Sequence, residues 1–153
     1  MVSGINIPPD EPRYVLRDSF TLPADVDAIG ASGYAHLLAR EMKLTARLPG
    51  GGTRGLLWID RWDVAWQETY YFAAPVRLPR GTVIHSEITY DNSAGNPRNP
   101  STPPRRVTWG PTLTDERGGL TLLVAARDEA GAAALTAARA QHFQELLVRP
   151  IRR

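Results

Sequence analysis

The stretch Tyr14–Leu22, "YVLRDSFTL", decides the fold. Val15, Arg17, Ser19 and Thr21 alternate with Leu16, Asp18, Phe20 and Leu22. A period of two sends one set to each face of an extended strand, so this is a half-buried β-strand rather than a helix. The pattern recurs outward. "TLPADVDAIG" reads as a turn and a short strand, and "HLLAREMKLTARLP" mixes apolar and charged residues at near-alternating spacing. "LPGGGTRG" is a hairpin-like glycine loop, and "TVIHSEITYDN" alternates again. "LLWIDRWDVAWQETYYFAAPVRLPRGT" holds two or three more strands; its Trp58, Trp62 and Trp66 lie four residues apart, a helical spacing. The β-branched and aromatic residues around them and the breaks at Pro75 and Pro79 favour strands.

Asp91–Arg106, "DNSAGNPRNPSTPPRR", carries four prolines and three asparagines and has almost nothing to bury. It is a long loop, and a turn-forming role for its Asn and Asp side chains would order it. Beyond it "VTWG" and "LTLLVAA" are strands. The last segment, "DEAGAAALTAARAQHFQELLVRP", is a helix of about five turns. Asp128 caps it, Glu129 suits its N-terminal dipole, and Leu135, Phe143, Leu146 and Leu147 fall near one side. Eight or nine short strands followed by one helix predict an all-β antiparallel sandwich over 1–127, with a helix and basic tail over 128–153.

Composition narrows the function. The 153 residues are 42% hydrophobic and 22% charged, with thirteen Gly and thirteen Pro, the profile of one globular, turn-rich domain. A net charge of +2 does not argue for nucleic acid. Lys43 is the only lysine among eighteen basic residues, a bias toward Arg that mutational pressure explains. There is no cysteine, so disulfides and thiolate metal sites are excluded. No apolar run approaches the roughly 20 residues of a membrane span, and "MVSGINIPPDEPRY" lacks the basic start and apolar core of a signal peptide.

"LLAREMKLTARLPGG", "LLWIDRWDVAWQETYYFAAPVRLPRGT", "YDNSAGNPRNPSTPPRRVTWG" and "TDERGGLTLLV" occur in this order. Together they resemble the C-terminal domain of copper type II, ascorbate-dependent monooxygenases, in the bacterial branch related to peptidylglycine α-hydroxylating monooxygenase. The resemblance runs from Ile7 to Ala126, and its most specific element is "YDNSAGNPRNP" followed by "WG" and "TDE". It implies a jelly-roll β-sandwich. It also implies one copper, held by a His-x-His pair on a strand and by the methionine of a "DEM" motif.

The match is incomplete at the metal. The second histidine falls on His36, the first on Tyr34, and the methionine on Arg117. A phenol with a pKa near 10 is a poor ligand without strong help. Arginine has no lone pair to give and carries a fixed positive charge. Met42 is six residues past His36, on the same strand face but too far along it to share an ion. The family's enzymes also need a second copper domain, and this chain has the length of one. The expectation is a degenerate site with neither metal nor cofactor, and a protein that is not an enzyme.

Other constellations have simpler readings. His85, Glu87 and Thr89 share a strand face as a surface pair, and His142 belongs to the edge of the terminal helix. Asp60, Asp63 and Glu68 suggest ion pairs with Arg54 and Arg61 rather than a glycosidase's carboxylates. The three tryptophans suggest core packing rather than a sugar platform. Phe20, Leu44, Trp58, Ile88 and Leu122 are the predicted core. There is no phosphate loop, nucleotide fingerprint or Gly-x-Ser-x-Gly.

The partners expected are other protein subunits, with no nucleic acid, no membrane span and no small-molecule ligand. Arg98, Arg105 and Arg106 on the long loop, Phe143 on the helix, and Arg152 and Arg153 in the tail are the candidate contacts. The expected role is an accessory subunit docked on a larger assembly, such as a respiratory or photosynthetic electron-transfer complex on the periplasmic side of a bacterial membrane, where relatives of this family work. The alternatives are half of a copper monooxygenase and a sugar-binding jelly roll.

Overall fold

The computed structural model of the chain describes residues 4–148. Nine strands precede one helix: β1 (Asn6–Ile7), β2 (Glu11–Thr21), β3 (Val26–Ala35), β4 (Ala39–Arg47), β5 (Thr53–Ile59), β6 (Thr69–Leu78), β7 (Val83–Asn92), β8 (Val107–Thr108), β9 (Gly118–Ala126) and α1 (Glu129–Val148). Two sheets form the sandwich, ordered β2-β7-β4-β5 and β6-β3-β9, and β1 pairs with β8 in a short separate ribbon. Every pairing between these strands is antiparallel. The all-β sandwich with a C-terminal helix is the architecture the alternation predicts.

The register follows from which residues must be buried. Leu16 pairs with Ile88 and Phe20 with Ile84, which puts one apolar set of β2 and β7 on the inner face. Met42, Leu44 and Ala46 of β4 are buried beside them. From the other sheet Val26, Ala28, Ala31 and Ala35 point in. These small residues let the sheets approach, and at Gly33 an added Cβ would crowd the Met42 sulfur.

Leu44 and Ile88 are buried as predicted, while Phe20 and Leu122 are half-buried against the core. Trp58 is not a core residue: it is 67% exposed. It pairs with Lys43, whose side chain faces outward, and cross-strand partners share a face. Of the other tryptophans, Trp62 is buried with its indole N–H donating to the His36 carbonyl at 3.1 Å, and Trp66 is 66% exposed. Both lie in the β5–β6 connection, which is neither helical nor extended.

The chain turns at Leu37–Leu38 between β3 and β4, so His36 and Met42 do not lie on one strand as expected. His36 follows the end of β3, and Met42 sits in the core on β4.

The helix packs on its own sandwich. Asp128 caps it by accepting from the Gly131 amide at 2.7 Å. Leu135 joins the inner apolar cluster, and Leu146 lines a cleft with Leu16 of β2 and Leu120 of β9. His142 meets Asp18 at 2.7 Å and the edge of Phe20 at 5.4 Å between ring centroids. The helix thus closes the side where β2 and β9 are the free edges of their sheets. The opposite side, with edges β5 and β6, has no such cover from α1.

Candidate functional site

Of Tyr34, His36 and Arg117, the first two meet side chain to side chain, and Glu116 ties the His36 and Arg117 backbones together. Glu116 is fully buried. Its Oε1 accepts from the amides of His36 at 2.6 Å and Arg117 at 2.8 Å, and its Oε2 accepts from the Leu38 amide at 2.9 Å. A turn that buries its amides must find them acceptors, and one carboxylate serves two amides of the β3–β4 turn. The Glu116 backbone is fixed as well, by bonds to Thr108 and Gly110. Burial pushes the Glu116 carboxyl up to about 7, against the three amide donors that favour its charged form.

His36 is 2% exposed and has both ring nitrogens engaged. Nδ1 lies 3.1 Å from the Asp115 carbonyl oxygen and Nε2 lies 3.0 Å from the Tyr34 hydroxyl. A carbonyl only accepts, so Nδ1 carries the hydrogen; in the neutral ring Nε2 is then the acceptor and the phenol donates to it. Tyr34 itself is 40% exposed on the outer face of β3.

The Arg117 side chain finds its partners in the loop before β9. Its Nε donates to the Gly110 carbonyl at 2.8 Å, and its guanidinium lies 5.2 Å from the centroid of the Trp109 ring. Asp115 is held instead by Thr112, whose hydroxyl and amide donate to it at 2.7 and 3.1 Å and keep its carboxyl below the usual range.

This donor set does not fit copper. The one lone pair on His36 is taken by Tyr34, Arg117 offers only donors and a positive charge, and Met42 is in the core. Among the described residues no group of three His, Asp or Glu side chains is placed to hold a metal ion.

The long loop is ordered by its own side chains, as its Asn content predicts. Asn92 donates to the carbonyls of Pro8 and Arg105, both at 2.7 Å, and Asn96 to that of Asp91 at 2.7 Å. Asn99 donates to Asn92 at 2.9 Å. Arg98 is committed within the chain, to the Trp62 carbonyl and to Asp63 at 3.1 Å. Asp63 is therefore paired by Arg98, not by Arg54 or Arg61 as the sequence suggests. Arg106 donates to Asn6 at 2.8 Å, and Arg105 is exposed. Phe143 is 44% exposed on the helix, and Arg152 and Arg153 lie outside the described residues. Glu87 pairs across the strands with Arg17 at 2.7 Å.

A second cluster was hidden from sequence reasoning. The Trp58 indole N–H donates to Glu41 at 2.8 Å, Lys43 pairs with the same carboxylate at 2.8 Å, and the Lys43 ammonium lies 5.3 Å from the Trp58 ring centroid. Bonds from Lys43 and then Trp58 hold the Glu41 carboxyl below its usual range. Trp58 near the end of β5, Trp66 in the connection and Tyr71 near the start of β6 are exposed by 67%, 66% and 71%. They lie within fourteen residues of one another in the chain, on β5, on β6 and in the connection between them. The signal available in sequence was the pairing phase of Lys43 with Trp58, which needs the hairpin register.

No protein-family model matches this chain, and no curated protein aligns with it significantly.

Proposed function

We propose that the chain is a non-catalytic docking subunit with a monooxygenase-like fold, bound to a larger protein assembly through its β5–β6 side. The observation that carries this reading is Trp58, two-thirds exposed and yet held by Glu41 and Lys43. An exposed aromatic ring already fixed in one orientation loses little entropy on burial, which suits an interface anchor. Trp66 in the following connection and Tyr71 on β6 are exposed as well. The host we favour is an electron-transfer complex, respiratory or photosynthetic, on the periplasmic side of a bacterial membrane; this part rests on the resemblance in sequence alone. Among the described residues no helix is long and apolar enough to cross a membrane.

The test is co-purification of tagged chain from its native cells under mild solubilisation. The proposal expects a defined set of subunits that is lost in a Trp58→Ala, Tyr71→Ala double variant that remains folded. A sugar-binding role, the other use of exposed rings, predicts instead that glycans quench the tryptophan fluorescence and that the double variant abolishes the quenching.

A further inference from the structure

Tyr34, His36 and Asp115 form a chain of hydrogen bonds that the proposed docking role does not use. The phenol donates to His36 Nε2 at 3.0 Å, and His36 Nδ1 donates to the Asp115 carbonyl at 3.1 Å. This is the arrangement of an activated nucleophile: a hydroxyl, a base within reach, and a third group that fixes the base's tautomer. The base is 2% exposed and shielded from water, while the nucleophile is 40% exposed. Access to it is open. Tyr34 pairs in register with Gly119, and a Cβ built on Gly119 would meet nothing within 4 Å. The register ends at Ala35–Gly118, so Arg117 is the next residue along from the pair beside Tyr34, with its guanidinium held by Gly110 and Trp109. Its planar donors suit a phosphate group.

We infer that Tyr34 is a site of covalent acylation by acyl phosphates. The phenol oxygen attacks the acyl carbon as its proton passes to His36 Nε2. The carbon–oxygen bond to phosphate breaks, and the departing phosphate takes that proton. The products are a Tyr34 acyl ester and hydrogen phosphate, with no change of oxidation state. This activity is separate from the docking role and stands or falls independently of it.

The probe is acetyl phosphate, added to the full chain, with acetylation at each tyrosine followed by peptide mass spectrometry. Tyr71 is the internal reference, since it is 71% exposed and more accessible than Tyr34. Acetylation at Tyr34 should be faster than at Tyr71 by about tenfold or more, the low range of general-base assistance being higher still. His36→Asn should bring Tyr34 down to the Tyr71 rate, and Arg117→Ala should slow Tyr34 severalfold. Equal rates at Tyr34 and Tyr71 in the unaltered protein overturn the inference, a comparison that needs no variant to fold. An unchanged Tyr34 rate in a folded His36→Asn protein also overturns it. An unchanged rate in Arg117→Ala removes the phosphate as the feature recognised.

Discussion

Glu116 and His36 are eighty positions apart in the chain and are joined by the shortest of three bonds to one carboxylate, 2.6 Å from the His36 amide to Oε1. The same side chain reaches Leu38 at 2.9 Å, so the β3–β4 turn is held by the loop that precedes β9. Replacing Glu116 by Gln keeps the shape but sets an amide NH₂ against an N–H donor. We expect a loss of about 1–3 kcal/mol, read from urea unfolding. A variant as stable as the parent would mean the turn does not depend on this carboxylate.

The raised pKa of Glu116 makes stability fall with rising pH. The carboxyl titrates near 4.5 when unfolded and near 7 when folded, so between these values the folded state holds the proton more tightly. Its contribution is complete below the unfolded value and is lost as pH rises through the folded one. The shift corresponds to about 3 kcal/mol. Glu41 and Asp115 shift the other way, and their contributions are lost only as pH falls below the ordinary carboxylate range. Urea midpoints at about pH 5 and about pH 8 should therefore drop in the parent and drop far less in Glu116→Gln.

Gly118 lies against the Tyr90 hydroxyl, where an added Cβ would overlap it and press on Ile88. Tyr90 is fully buried and donates to the Arg117 carbonyl at 3.3 Å, so it has little room to yield. Gly118→Ala should cost about 1–3 kcal/mol by overpacking, measured by thermal or urea unfolding. Gly119→Ala, with nothing within 4 Å, serves as the neutral neighbour.

His142 ties α1 to the sandwich through Asp18 and Phe20. Without this imidazole the helix keeps Leu135 and Leu146 as its apolar contacts. His142→Ala should raise amide hydrogen exchange across α1 while leaving β4 and β7 protected. Equal exchange in parent and variant would show that the helix is held by its apolar contacts alone.

Much of the fold was legible because one physical signal, the period of two, marks strands with one buried face. Leu16, Leu44 and Ile88 are inside for that reason. Trp58 was misplaced because its face depends on the β4–β5 register, and composition near a tryptophan says nothing about register. Tyr34 and His36 are two positions apart, close enough for the phenol and the imidazole to meet at 3.0 Å, whereas the Arg117 side chain goes to Gly110 and Trp109, partners that spacing does not reveal. Glu116 was passed over although it stands beside Arg117, because a carboxylate's partners are backbone amides and those carry no sequence label. Arg98 read as a free cation for the same reason: its acceptors, the Trp62 carbonyl and Asp63, are thirty-odd residues away in the chain.

Native fractionation of the tagged chain from its own cells tests the docking claim most directly. The account predicts that the chain elutes with a large assembly of constant composition and that the Trp58→Ala, Tyr71→Ala variant elutes as a free, folded monomer. An unaltered chain found only as a free monomer, with every membrane complex unchanged when the chain is deleted, would contradict it.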